Sequence, residues 1–471
     1  VAFHINEKAK FSDGTKITAD DIIFSFESLR DKGLPTYRYY YNDVKSVKKT
    51  SDSRVVFYFK KNASNRELPL ILGELPILSK NFWAPKDFSK TILTPPVSSG
   101  PYKIKSFEPG RSVTYERNLD YWGKDLNVNK GLYNFDIIKY DYYSDATVAT
   151  EAFKAQDIDI RVENEAKKWV SFAKEDAVRD GRMKMANFKH ELPSGMQGFV
   201  FNLRRPIFAD VRVREALNYV FDFKWTNANL FHGLYNRTTS YFDNSTLKAP
   251  PLPTPKEVKL LEPYKDKLAP QVFTQEFKLP ETQNMRANFA KALTLLGKAG
   301  WRVHQDGILK NDKGEPFEFE ILIDAASASA WERITLPFIG QLKRLGIRAK
   351  VSVVDVIQYK NRMDNFDYDM IVAVWGQSLS PGNEQRYFWG SEAADSQGSF
   401  NFAGLKNPAA DAMIEKVIAA DSNEELLTAV HALDRVLLWQ YLVIPHWHTP
   451  VHRVVYWNKF DMPKAQPMKG V

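Results

Sequence analysis

Phe317-Glu318-Phe319-Glu320-Ile321-Leu322-Ile323-Asp324 alternates apolar and charged residues before closing on an apolar run, the pattern of a β-strand. Beyond it, Ile334, Phe338, Leu342 and Leu345 recur at helical spacing and stop at Gly346, where a left-handed helix terminus is expected. Ile347, Ala349, Val351 and Val353 alternate again, a short helix is predicted over 356–363, and residues 370–375 are an apolar run of the buried-strand type. This β-α-β-α-β order predicts an α/β fold with a parallel, doubly wound sheet. Ligands of such sheets sit beyond the carboxyl ends of the strands. Segments 324–329 and 376–385 are therefore the candidate ligand contacts.

Working outward, Val1, Phe3 and Ile5 alternate, Ser12-Asp13-Gly14 is a turn, and Thr18 with Asp20 and Asp21 opens a helix carrying Ile22, Ile23, Phe26 and Leu29 on one face. Strands are predicted over 55–59, 103–107, 113–117, 135–143, 158–160 and 198–203, and a helix over 147–155. Asp210 caps a helix with Val213, Leu217 and Val220 on one face. Residues 243–280 are rich in proline without a clear period and read as a linker or surface wrap. Asn407-Pro408 and the box Ser422-Asn423-Glu424-Glu425 open two further helices. The opening Val-Ala-Phe-His-Ile reads as mid-strand, so the chain is expected to begin inside a domain, any targeting segment already gone.

Composition narrows the function classes. At about 150 residues per domain, 471 residues make roughly three domains. Hydrophobic residues at 44% and charged residues at 26% exclude disorder and collagen-like folds. The absence of cysteine excludes disulfide scaffolds, thiolate nucleophiles and Cys-ligated metals. The net charge of +8 is spread among acids without a basic stripe, so nucleic acid is not an expected partner. The longest uncharged stretch, 436–452, contains Gln440, Pro445, Pro450 and three histidines, and is no bilayer span.

Three constellations could carry chemistry. The loop after residue 375, Gly376-Gln377-Ser378-Leu379-Ser380-Pro381-Gly382-Asn383-Glu384-Gln385, is dense in hydrogen-bonding groups and has Trp375 as an apolar wall. His446, His448 and His452 would share a face of one continuous strand, a metal geometry that Pro450 interrupts. Asp364, Asp367 and Asp369 are spaced as turn residues rather than as a catalytic pair. No nucleophile elbow, phosphate loop, dinucleotide fingerprint or zinc-protease motif occurs. Binding is expected over turnover, with no catalytic residue, metal or cofactor.

Phe3-His4-Ile5 through Phe11-Ser12-Asp13-Gly14-Thr15-Lys16-Ile17-Thr18-Ala19-Asp20-Asp21-Ile22-Ile23-Phe24-Ser25-Phe26 resembles the signature of family 5 solute-binding proteins of ABC transporters, the dipeptide/oligopeptide-binding class. The resemblance continues through Ser99-Gly100-Pro101-Tyr102, Tyr121-Trp122 and Phe208-Ala209-Asp210-Val211-Arg212-Val213-Arg214-Glu215-Ala216-Leu217. The stretch 377–386 and Ala432-Leu433-Asp434-Arg435 resemble the YejA-like branch. The resemblance implies a periplasmic-binding-protein-like fold of the class II type, with two lobes of doubly wound mixed sheets plus an extra domain. Residues 1–120 would be the extra (second) domain, N-terminally truncated, and 121–240 part of the first lobe. Residues 241–450 would form the second lobe and 451–471 a tail returning to the first.

The implied function is a monomeric periplasmic receptor that captures peptides between closing lobes and delivers them to inner-membrane permease subunits. Its expected ligand contacts are Trp375, Gly376, Gln377, Ser378, Asn383, Glu384, Arg386, Asp324, Ser327, Tyr102, Phe199 and Asn202. Peptide binders of this class carry an Asp a few residues after the Trp corresponding to Trp375, for the ligand's α-amino group. Here Gly376-Gln377-Ser378-Leu379 has none, and Glu384 is the nearest carboxylate. An opine, sugar or metal chelate is therefore an alternative ligand, and a cleft hydrolase an alternative class.

Overall fold

The computed structural model describes residues 1–61, 67–280 and 284–462. They form two compact units, Val1–Asp159 and Ile160–Val471. In the first, helix Ala19–Lys32 opens at Thr18, whose backbone N–H and hydroxyl both donate to Asp21 (2.9 and 2.8 Å). The helix turns Phe26 and Leu29 inward against an antiparallel sheet in which Arg54–Phe59 lies between Ala2–His4 and Val44–Ser51. Val55 and Phe57 face that core because a strand alternates its side chains. A second antiparallel sheet joins Tyr102–Glu108, Ser112–Arg117 and Ile137–Asp141.

The second unit is built on a five-stranded sheet in the order Arg348–Val354, Glu318–Asp324, Met370–Trp375, Met196–Phe201, Val443–Pro445. The first three strands are parallel, as their connecting helices require. Met196–Phe201 runs antiparallel to both of its neighbours, so the sheet is mixed where the local element order predicted a parallel one. Side-chain alternation makes two cores. Leu322, Ile371, Val200 and Val443 pack under helices Pro408–Ala419 and Asn423–Leu438. Ile321, Ile323, Phe199 and Ile444 pack under Ala328–Arg344, Val211–Asn218 and Met285–Lys298. Gly346 has φ +78°, and a Cβ there would stand 2.5 Å from the Gly307 carbonyl oxygen, so only glycine fits this helix end.

The proline-rich stretch 243–280 is not a linker. Leu247, Leu261, Leu268 and Val272 enter the first of these cores, as do Tyr241 and Phe242 just before the stretch. The prolines open short helices: Pro255 starts Pro255–Leu261, whose Thr254 and Glu257 form a capping box. Glu257, with a fully buried side chain, also meets the buried Arg435 at 3.1 Å. The strand expected over 158–160 lies at Ile160–Val162, because the preceding helix ends through Gln156 at φ +72°. Ile160–Val162 and Met183–Lys189 flank Val451–Trp457 in a third antiparallel sheet. The last part of the expected tail, 463–471, lies outside the described residues.

Candidate ligand-binding site

The five-stranded sheet brings Asp324, Trp375, Met196 and Pro445 to one edge, the carboxyl edge of its parallel strands. There the ladder is uneven. Met370 and Ile371 pair with Ile321 and Leu322, but Val372–Trp375 pair only on the other side, with Phe199, Gly198, Gln197 and Met196. The neighbouring chain turns away, since the Ala325 N–H donates to the Val354 carbonyl (2.8 Å). Four residues of strand thus present one flank outside the ladder, with Tyr359 Oη donating to the Val372 carbonyl at 3.5 Å. Val374 is 59% exposed. A strand flank of this kind can take an added strand.

The loop after Trp375 is held by a side-chain relay. Trp389 Nε1 donates to Gln385 Oε1 (2.9 Å), and the buried Gln385 Nε2 donates to Gln377 Oε1 (2.7 Å) and Glu384 Oε1 (3.0 Å). Glu384 Oε1 also accepts from the Gly382 N–H (2.9 Å). Gln377 Nε2 is buried and has no hydrogen-bond partner among the described residues. Ser378 Oγ accepts from the Ser380 N–H (3.1 Å), and Asn383 precedes helix Glu384–Trp389. Arg386 makes a bidentate pair with Glu415, both contacts 2.6 Å. On the adjacent strand end, Asp324 Oδ1 accepts from the Ser327 N–H (3.0 Å) and Asp324 Oδ2 from the Ser327 hydroxyl, closing the turn that starts helix Ala328–Arg344.

Asp324, Ser327 and the residues from Gly376 to Arg386 therefore lie around one sheet edge; Trp375 shares that edge but faces the core, and Phe199 and Asn202 lie away from it. Trp375 is 1% exposed. Its indole N–H donates to the Phe400 carbonyl (2.8 Å), and its ring packs 4.6 Å from Trp389. It is core and not a cleft wall, because alternation turns Val374 outward and Trp375 inward. Phe199 is buried and stacks on Phe338 at 5.1 Å. Asn202 follows Phe201, the partner of Met370, and so sits at the opposite edge of the sheet. Its Nδ2 donates to the Phe366 and Tyr368 carbonyls, and its Oδ1 accepts from Arg204. Tyr102 belongs to the first unit, its hydroxyl donating to the Phe135 carbonyl (2.8 Å).

The histidines do not converge on one point. His446 is buried at 4.4 Å from the Phe199 ring, His448 Nδ1 lies 3.2 Å from Thr238 Oγ1, and His452 stacks on His190 at 4.3 Å. The strand breaks at Pro450: Trp447–His448 pairs with Asn236–Arg237, while Val451–Trp457 joins another sheet. Among the described residues no cluster of three or more His, Cys, Asp or Glu is placed to hold a metal. The acids before Met370 are structural. Asp364 binds Lys360, Asp367 binds Arg205, and Asp369 accepts from the Glu320 N–H (3.0 Å). The sequence does not single out Gln385 as the centre of the relay; four polar residues in a row after Gly382 give no sign of which one turns inward.

Comparison with known proteins matches residues 1–397 to the bacterial extracellular solute-binding proteins, family 5. The chain belongs to this family. It is a family of binding proteins rather than of enzymes. The chain is 41% identical over its full length to the probable peptide-binding protein YejA of Agrobacterium fabrum, covering 78% of that protein. It is 38% identical, again over its full length and 78% of the relative, to the peptidoglycan-binding protein YepA of the same organism. Its fold is that of the oligopeptide-binding protein AppA from Bacillus subtilis, solved with a nonapeptide: TM-score 0.71 at 20% identity, over 98% of this chain and 84% of that one. No helix among the described residues is long and apolar enough to cross a membrane.

Proposed function

We propose that this chain is the periplasmic receptor of an ABC importer, that it binds a peptide in extended form, and that it hands it as a monomer to the membrane permease. The observation that carries the ligand class is the one-sided ladder at Val372–Trp375. A peptide laid along that flank gains main-chain hydrogen bonds whatever its side chains, with Gln377 Nε2 and the exposed Gly376 at its end. The names of the relatives, peptide-binding and peptidoglycan-binding, support the same class. The two-lobed closure and the division into 1–120, 121–240, 241–450 and 451–471 are part of this reading. The lack of an acid over 376–383 keeps a non-peptide solute as the second reading.

Titration calorimetry with a tripeptide and with its backbone N-methylated analogue tests the strand mode. Methylation removes the donors an added strand needs, so affinity is expected to fall at least tenfold. Equal affinities would overturn the strand mode.

A further inference from the structure

Away from the loop 376–385, the second unit holds a cavity of about 470 Å³ whose lining includes Phe223, Lys224, Arg237, Phe277 and Leu438. This size is within the range of small-molecule sites, about 300–1,000 Å³. Its charged groups are mostly occupied by internal partners. Lys248 is held by Asp243 (3.0 Å), Lys278 by Glu276 (2.8 Å) and Arg435 by Glu257. Asp434 accepts from the Ser240 hydroxyl (2.7 Å) and the Tyr241 N–H (2.9 Å).

Arg237 differs from all of these. Its Nε and Nη2 are buried and make no hydrogen bond among the described residues. The guanidinium carbon lies 5.0 Å from the centroid of Phe221 and 5.4 Å from that of Phe223. Aromatic faces offer a cation partial compensation, not a hydrogen-bond acceptor. The nearby His446 makes no hydrogen bond to Arg237: both of its buried ring nitrogens are without partners among the described residues. Burial lowers the Arg237 pKa to about 9, opposed only by the charge of Asp222, whose carboxylate already accepts from the Trp225 N–H (2.9 Å). A guanidinium buried without acceptors is costly unless an anion supplies them, and a carboxylate fits its planar fork.

We propose that this cavity binds a small carboxylate with an apolar body, the carboxylate accepting from Arg237 and the body lying against Phe223, Phe277 and Leu438. The lining includes none of residues 376–385, and the proposal stands or falls independently of the peptide reading.

The test is calorimetry on the full chain with N-acetyl-L-leucine and N-acetyl-L-leucinamide, which share a body and differ in the charged group. The acid is expected to bind at least tenfold more tightly than the amide, and Arg237→Gln to abolish that preference. Equal binding of acid and amide by the unaltered protein overturns the proposal without reference to any variant. So does an undiminished preference in an Arg237→Gln protein whose circular dichroism shows it folded. Sulfate competing as strongly as the acid would mean charge attraction alone, and would overturn the role of the apolar wall.

Discussion

Replacing Trp375 separates a core role from a ligand-contact role. The side chain is 1% exposed, packs against Trp389, Tyr241 and Phe402, and donates its indole N–H to the Phe400 carbonyl at 2.8 Å. Truncating a buried Trp to Ala costs about 3–5 kcal/mol in lost transfer energy and cavity. The Phe400 carbonyl loses its donor as well, a further cost of about 1 kcal/mol where water does not reach it. Trp375→Ala is therefore expected to destabilise the second unit by about 4–6 kcal/mol. Trp375→Phe keeps a ring but loses the hydrogen bond and part of the contact, for about 1–2 kcal/mol. At about 2 °C per kcal/mol, the low end that a unit of this size takes, the alanine variant should melt roughly 10 °C lower. Thermal unfolding followed by circular dichroism, with peptide calorimetry below the melting range, measures both. An alanine variant that melts within a degree of the parent yet no longer binds peptide would refute the reasoning and restore Trp375 as a wall of the site.

Three further outcomes are expected. Glu257→Ala leaves Arg435 buried without its carboxylate, and should cost about 3–5 kcal/mol in urea unfolding; a loss below 1 kcal/mol would show water reaching the pair. His446 is held neutral well below the usual imidazole range by burial, with the Arg237 charge adding to the effect. The unfolded chain takes up a proton below about pH 6.5 that the folded chain refuses, so this residue removes stability as pH falls, by up to about 1.4 kcal/mol per pH unit. His446→Phe should flatten the melting-temperature profile between pH 8 and pH 5, and an unchanged slope would contradict the buried, neutral state. Glu384→Gln should weaken a free-amine peptide several-fold and leave its N-acetylated form unaffected; equal effects on both would remove Glu384 from amine recognition.

What could be read from the sequence depended on whether the signal was local. Residues 318–324 and 370–375, and the helix end at Gly346, announce themselves by alternation, apolar run and glycine. The strand Met196–Phe201 is also expected, over 198–203, but its antiparallel direction is not, because its partner Met370–Trp375 lies some 170 residues further along the chain and only pairing reveals it. Asn202 was misplaced for the same reason: a strand inserted in the opposite direction carries its carboxyl end to the wrong edge. Trp375 was misread because an apolar run has no polar alternation to say which face is inward. In 243–280 the prolines looked like breakers, yet Pro255 sits at the first turn of a helix, where its missing N–H costs nothing.

The buried Trp375 and the open strand flank belong to one arrangement. On the ladder side, Gly195, at φ +67°, comes so close to the end of Met370–Trp375 that a Cβ there would stand 2.1 Å from the Trp375 carbonyl oxygen. Beneath the strand, the Trp375 indole is locked to Trp389 and to the Phe400 carbonyl, and Trp389 in turn anchors Gln385 and through it Gln377. The strand end is thus fixed from one flank and from below, and the other flank is the direction in which it can still make backbone hydrogen bonds. Groups already fixed in their bonded positions lose little conformational freedom when a ligand arrives. In the proposed strand mode the affinity would come from main-chain groups that every peptide shares, and a receptor built this way would tolerate variation in ligand side chains without moving its own core.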